Sequence, residues 1–162
     1  MLQVIWEMEG FANRLADNKI IRMSASRDEG TMIVHLKLVN TQFDAPEWEE
    51  GIGHLRAFME IVDESFHFVF DVHVATSFPF DRVHAVQLCL YERVDVLKRF
   101  LVSSVLVIQG QAMKLLLEAS FRVFPPVRPI KVLMHTHEEQ VARDTLVFVR
   151  GTRGAAPCGG RV

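Results

Sequence analysis

Four times along this chain a short apolar run, rich in β-branched or aromatic residues, gives way to a longer amphipathic segment. In each longer segment the apolar residues recur every three or four positions. Strands that alternate with helices have one economical solution, a sheet with helices packed on it. That alternation constrains the fold more than any single motif. It predicts an α/β domain with the order β-β-α-β-α-β-α-β-α and a mixed, mostly parallel sheet, its crossovers right-handed.

The first two strands read as a hairpin. Lys19–Ser26 and Thr31–Val39 flank the polar, glycine-ended segment Arg27-Asp28-Glu29-Gly30, which suits a tight antiparallel turn. Asp44-Ala45-Pro46-Glu47 reads as a helix start capped by Asp44. Trp48, Ile52, Leu55, Met59 and Val62 then mark one helical face. The stretch Phe66–Val74 reads as a buried strand. After the loop Ala75–Phe80, Asp81 is expected to cap a helix whose stripe is Val83, Val86, Leu90, Val94, Leu97 and Leu101. Ser104–Ile108 is a strand. Met113, Leu116, Leu117, Phe121 and Phe124 mark a helix that Pro125-Pro126 stops. Pro129–Met134 reads as the last strand, and Thr136-His137-Glu138-Glu139 as the capping box of a last helix ending near Val149.

The ends read differently from the middle. Residues 1–18 form an N-terminal arm in which Leu2, Ile5 and Trp6 supply a small apolar face. Residues 19–149 are the domain, and residues 150–162 have the composition of a flexible tail. Glu7 and Glu9 interrupt any secretory leader, and two cysteines cannot make a disulfide framework. A reducing, cytoplasmic setting is the expectation. With 162 residues, 49% of them hydrophobic, one domain with a real core is affordable. A net charge of −2 gives no general grip on nucleic acid. No apolar run reaches the roughly 20 residues of a helical membrane span, so an integral membrane protein is not expected.

Three segments resemble the STAS domain, the fold of bacterial anti-sigma-factor antagonists and of the cytosolic tails of sulfate transporters. They are Phe68–Val72 with Thr76-Ser77-Phe78; Ser103–Ile108 with Phe121–Pro129; and Ile130–Leu133 with Glu138–Ala142. The second is similar to a STAS-like subgroup related in shape to CRAL-TRIO lipid-binding domains. The resemblance spans residues 19–149 and implies a STAS-like sandwich. It also implies a regulatory, non-enzymatic role in binding a protein partner through Ser77, Phe78, Phe80, Asp81 and Arg82. The phosphorylatable members carry Asp-Ser-Ser/Thr-Gly where this chain has Phe80-Asp81-Arg82-Val83. The phosphoacceptor is missing, and Asp81 either stands in for its charge or simply caps the helix.

Catalytic and metal chemistry find little support. Seven histidines include the pair His135 and His137, but zinc needs three or four converging ligands. No G-x-S-x-G nucleophile turn is present, and Cys89 reads as a small buried thiol. Neither a cofactor nor a metal is expected. Gly51 and Gly53 interrupt the first helix at a cost of about 1 kcal/mol each relative to alanine, which hints at a close approach on that face. A late basic group, Arg93, Lys98, Arg99, Lys114, Arg122, Arg128 and Lys131, offers an anionic small molecule or lipid headgroup a place to bind. The alternative to the interaction module is therefore a small-molecule or lipid carrier, with some of the 12 phenylalanines lining its pocket. Homodimerisation through a helix face or strand edge is compatible with either reading.

Overall fold

A computed structural model describes residues 13–154 of the chain, with side chains from residue 18 onward. Its elements are β1 (Asn13–Asp17), β2 (Ile21–Asp28), β3 (Thr31–Leu38), α1 (Pro46–Ile61), β4 (Phe66–Asp71) and α2 (Phe80–Tyr91). There follow α3 (Val94–Phe100), β5 (Leu101–Ile108), α4 (Gln111–Val123), β6 (Ile130–Met134) and α5 (Glu138–Thr152). One mixed sheet holds the strands in sequence order, β1 to β6. β2 runs antiparallel to both of its neighbours, β1 and β3, and β3, β4, β5 and β6 run parallel.

Sequential strand order and crossovers of one hand place all the connecting helices on the same face. The residue pattern agrees. Met32, Val34, Leu36 and Leu38 of β3, Phe66 and Phe68 of β4, and Leu106 and Ile108 of β5 share a core with residues of α1, α2, α3 and α4. Their neighbours Ile33, Val69, Val105 and Val107 point the other way and meet Val149, with Val141, Leu146 and Phe148, on α5. β5 is buried along its whole length, as a continuous apolar run between two helical layers should be. No helix among the described residues is long and apolar enough to cross a membrane.

The β2–β3 turn uses Glu29 and Gly30, both at positive φ, 48° and 83°. Two such residues give the turn a twist that matches the strands. At the other end of β2, the Asn18 Oδ1 accepts from the backbone N–H groups of Ile20 and Ile21 at 2.9 and 2.8 Å, and its Nδ2 donates to the Glu47 carbonyl at 2.9 Å. This one side chain ties the start of the sheet to the start of α1.

Several expectations need correction. Asn13–Asp17, assigned to the arm, is an edge strand on β2. The remainder of the arm, with Leu2, Ile5 and Trp6, lies outside the described residues. The last helix continues to Thr152, and Arg153 pairs with Asp28 at 2.6 Å and with Glu29. The assigned tail therefore begins inside the fold, and its residues 155–162 are outside the described range. The single helix expected from Asp81 through Leu101 is two, because Arg93 leaves helical geometry (φ −123°, ψ 37°). Leu101 already belongs to β5. Apolar spacing stayed in phase across the short break and hid it.

The expected caps differ too. Asp44 precedes the α1 cap position, which Ala45 occupies, and its carboxylate lies 3.3 Å from the Arg82 guanidinium. Asp81 is the second residue of α2, because the helix starts directly after Pro79, whose ring sets φ at −58°. Thr136 makes no capping box, and α5 begins after His137 without a side-chain cap.

The two α1 glycines separate cleanly. A Cβ at Gly51 would lie 2.5 Å from the Ile21 Cδ1 and 3.0 Å from the Ile21 Cβ, whereas one at Gly53 would meet nothing within 4 Å. Gly51 thus allows α1 to sit tightly on β2. Gly53→Ala is expected to stabilise the protein by about 0.5–1 kcal/mol through helix propensity. Gly51→Ala gains the same term and loses about 1–3 kcal/mol to overpacking, for a net loss. Denaturant midpoints of the two variants check this, and equal stabilisation by both would contradict the close approach.

Candidate functional site

The sheet face under α2, α3 and α4 is incompletely filled. A cavity of about 180 Å³ remains there, open to solvent on one side. Phe70 and Val72, at the end of β4, form part of its wall. Leu101, Ser104 and Leu106 of β5 form its floor. Val83, Val86, Leu90 and Tyr91 come from α2, Leu97 from α3, and Met113, Leu117 and Phe121 from α4. The segment Phe124–Arg128, between α4 and β6, completes it. Gln87, Tyr91, Ser104 and Arg128 are the polar members of an otherwise apolar lining, and Arg128 alone is charged.

Local chemistry explains the position of each wall. α4 presents Met113, Leu117 and Phe121 at helical spacing, so one face meets the sheet. Pro125 and Pro126 end α4, and the chain bends at Val127 and Arg128 before Pro129 leads into β6. The Pro129 carbonyl accepts from the Ser104 backbone N–H at 2.9 Å, which fastens that segment to β5. Arg128 Nη2 donates to the Lys98 carbonyl of α3. The guanidinium Nε is buried and has no partner among the described residues.

The five residues expected to bind a partner do not all face solvent. Ser77 and Asp81 are exposed, and Phe80 is 54% exposed with its ring stacked near His84, 6.2 Å between centroids. Phe78 turns inward. Its ring packs against Phe43 at 4.5 Å and Trp48 at 5.7 Å, and it lines the cavity. Arg82 is half-buried and reaches Asp44, Glu49 and Asp81 at 3.3, 3.5 and 3.6 Å. Such half-screened pairs contribute little to stability, about 0–1 kcal/mol each, but they neutralise acidic charge at the start of α1. Of the late basic group, Arg128 alone reaches the cavity; Lys98, Arg99, Lys114, Arg122 and Lys131 are exposed.

His54 lies on α1 and His84 on α2, where its ring packs on Phe124 at 5.3 Å; His35, His67, His73 and His135 belong to the sheet or its strand ends. At the ends of β4 and β6, His73 Nδ1 contacts Asp71 Oδ1, and its ring stacks on His135 at 3.8 Å and 5°. His35 Nε2 lies 3.2 Å from Ser26 Oγ, and burial lowers its pKa despite the nearby Asp71. His137 is exposed at the start of α5, so the His135–His137 pair does not converge. Among the described residues no group of three or more His, Cys, Asp and Glu side chains is placed to hold a metal ion. Cys89 is buried, and burial raises its pKa.

His67 is the residue whose setting was least visible in the sequence. It is fully buried, and the β4–β5 register puts it beside Ser103, with His67 Nδ1 2.7 Å from Ser103 Oγ. Thr152 Oγ1 lies 2.9 Å from Ser103 Oγ and 3.1 Å from the Phe148 carbonyl. Thr152 O–H thus donates to the Ser103 hydroxyl, which also pairs with His67 Nδ1. The His67 Nε2 is buried and has no partner among the described residues. Although this is a serine–histidine pair, both members are fully buried, so no substrate reaches the hydroxyl. Its role is to fasten α5 to the sheet.

Comparison with family models, curated proteins and solved structures finds no match to this chain.

Proposed function

We propose that this protein is a non-enzymatic, STAS-like binding module that holds a small apolar molecule between its sheet and α2, α3 and α4. The cavity carries this reading. Close packing leaves few voids larger than a water molecule in a domain this size. A hollow of about 180 Å³ with one open side and an apolar lining leaves apolar surface in contact with water unless a ligand covers it. The initial hairpin, the parallel strands and the helical layer support a STAS-like architecture for a cytoplasmic module. The cavity narrows the carrier idea. An engineered apolar cavity of roughly 150 Å³ accepts benzene, so this one suits one aromatic ring or a short alkyl chain and is too small to enclose a diacyl lipid.

The protein-partner reading keeps one specific support, the exposed Phe80 beside exposed Ser77 and Asp81. Phe78 belongs to the same loop and to the cavity wall, so a filled cavity has a direct route to that surface.

The test is a titration of the full chain with 1-hexanol and benzyl alcohol, followed through the methyl resonances of Met113, Leu117 and Val86. Saturable shifts confined to lining residues are the expected result. Shifts that are absent, or spread evenly over the surface, would count against a binding cavity.

A further inference from the structure

We propose that the cavity's ligand is a small organic acid, its apolar body inside and its carboxylate on Arg128. This inference rests on the cavity reading and adds the chemistry of the head group. Arg128 is the sole charged residue in the lining. A guanidinium carries five N–H donors in a planar fork that matches a carboxylate. One of its nitrogens is committed to the Lys98 carbonyl. Its Nε is buried without a partner, and no described carboxylate forms an ion pair with it.

The backbone that carries the cation is constrained. Pro126 and Pro129 flank its segment closely, and Pro129 is bonded to the β5 backbone at Ser104. A cation at the edge of an apolar hollow, with donors to spare, recognises an anion attached to an apolar body. A neutral apolar ligand would leave those donors unused, and a polar anion without an apolar body would leave the hollow empty. The size of the hollow limits that body to one ring or a chain of about six carbons.

Four probes separate the parts of this claim: hexanoate and benzoate, with 1-hexanol and benzyl alcohol as uncharged counterparts. In the wild-type chain each acid is expected to bind at least about tenfold more tightly than its alcohol, read from the Met113 and Leu117 methyl shifts. In Arg128→Gln that ratio is expected to fall to about one while alcohol binding persists. Hexanoate ahead of benzoate identifies an alkyl source of the acid, and the reverse an aryl source. Equal binding of acid and alcohol in the wild type overturns the inference and leaves the cavity reading standing. No binding by any of the four overturns both. The wild-type comparison stands even if the glutamine variant does not fold, and Arg128→Lys, which keeps the charge but loses the fork, is expected to retain a reduced preference.

Discussion

Acidification from about pH 7 to about pH 4 is expected to remove roughly 3 kcal/mol of folding stability through His67 alone. Burial pushes the pKa of this imidazole from its ordinary 6.5 down to about 4, with Arg153 adding to the shift and Asp28 opposing it. Because the folded value lies below the unfolded one, the unfolded chain binds the extra proton over that interval. The stability is complete above the unfolded value and is lost as pH falls from 6.5 towards 4. His35, lowered by burial with Asp71 opposing, acts in the same direction. Asp28 is held below the usual carboxylate range by Arg150 first and by Arg153, so its contribution is lost at still lower pH. Denaturant midpoints measured across this interval should fall for the wild type. His67→Gln, which keeps a donor for Ser103 and does not titrate, should flatten most of the slope. A wild-type midpoint that stays constant, or an NMR titration placing His67 above about pH 6, would show that the imidazole is not desolvated.

Ser104→Phe is expected to weaken ligand binding strongly while leaving the fold intact. Ser104 lies on the cavity floor in the middle of a fully buried strand, and its backbone N–H is satisfied by Pro129. A phenyl ring there enters the void and competes directly with any guest. Affinity for the cavity probes should fall by about tenfold or more, and thermal stability should rise by about 0.5–2 kcal/mol because a void is filled. If the ring is not accommodated and the chain unfolds, Leu106→Trp fills the same space from the neighbouring inward position. A folded variant of either kind that keeps full affinity would place the ligand elsewhere.

Much of the scaffold was legible because each buried surface leaves a period in the sequence. Phe66, Phe68 and Phe70 alternate with His67 and Val69, and the sheet separates those two sets onto different cores. β1 had no such signature. Its five residues, Asn13–Asp17, are a strand because β2 offers them an edge to pair with. Asp44 looked like a cap because its own neighbours fit that role. Arg82, 38 residues later, takes its carboxylate instead, and no local pattern announces such a partner.

The candidate site was legible in kind and not in place. An apolar pocket between sheet and helices was among the expectations, and Phe70, Phe78, Phe121 and Phe124 do line one. Arg128 stood in the sequence as one of the seven residues of the late basic group, marked only by its place between Pro126 and Pro129, whose rings restrict the backbone there. Phe78 and Phe80 read as a matched pair on one loop, yet one packs on Phe43 and Trp48 and the other faces solvent.

The sequence by itself determined the alternation of strand and helix, the hairpin at Glu29-Gly30 and the two-sided burial of β5. These follow from backbone conformational preference and from which residues avoid water, both of which act over a few neighbouring positions. Only the tertiary structure decided that α5 closes the back of the sheet through Asp28, that His67 meets Ser103 and Thr152, and that a void remains beside Arg128. Each depends on groups far apart in the chain arriving at one place, and a void depends on the fit of every side chain around it. Periodicity reports that a face is buried; it carries no record of how well the opposing face fills it.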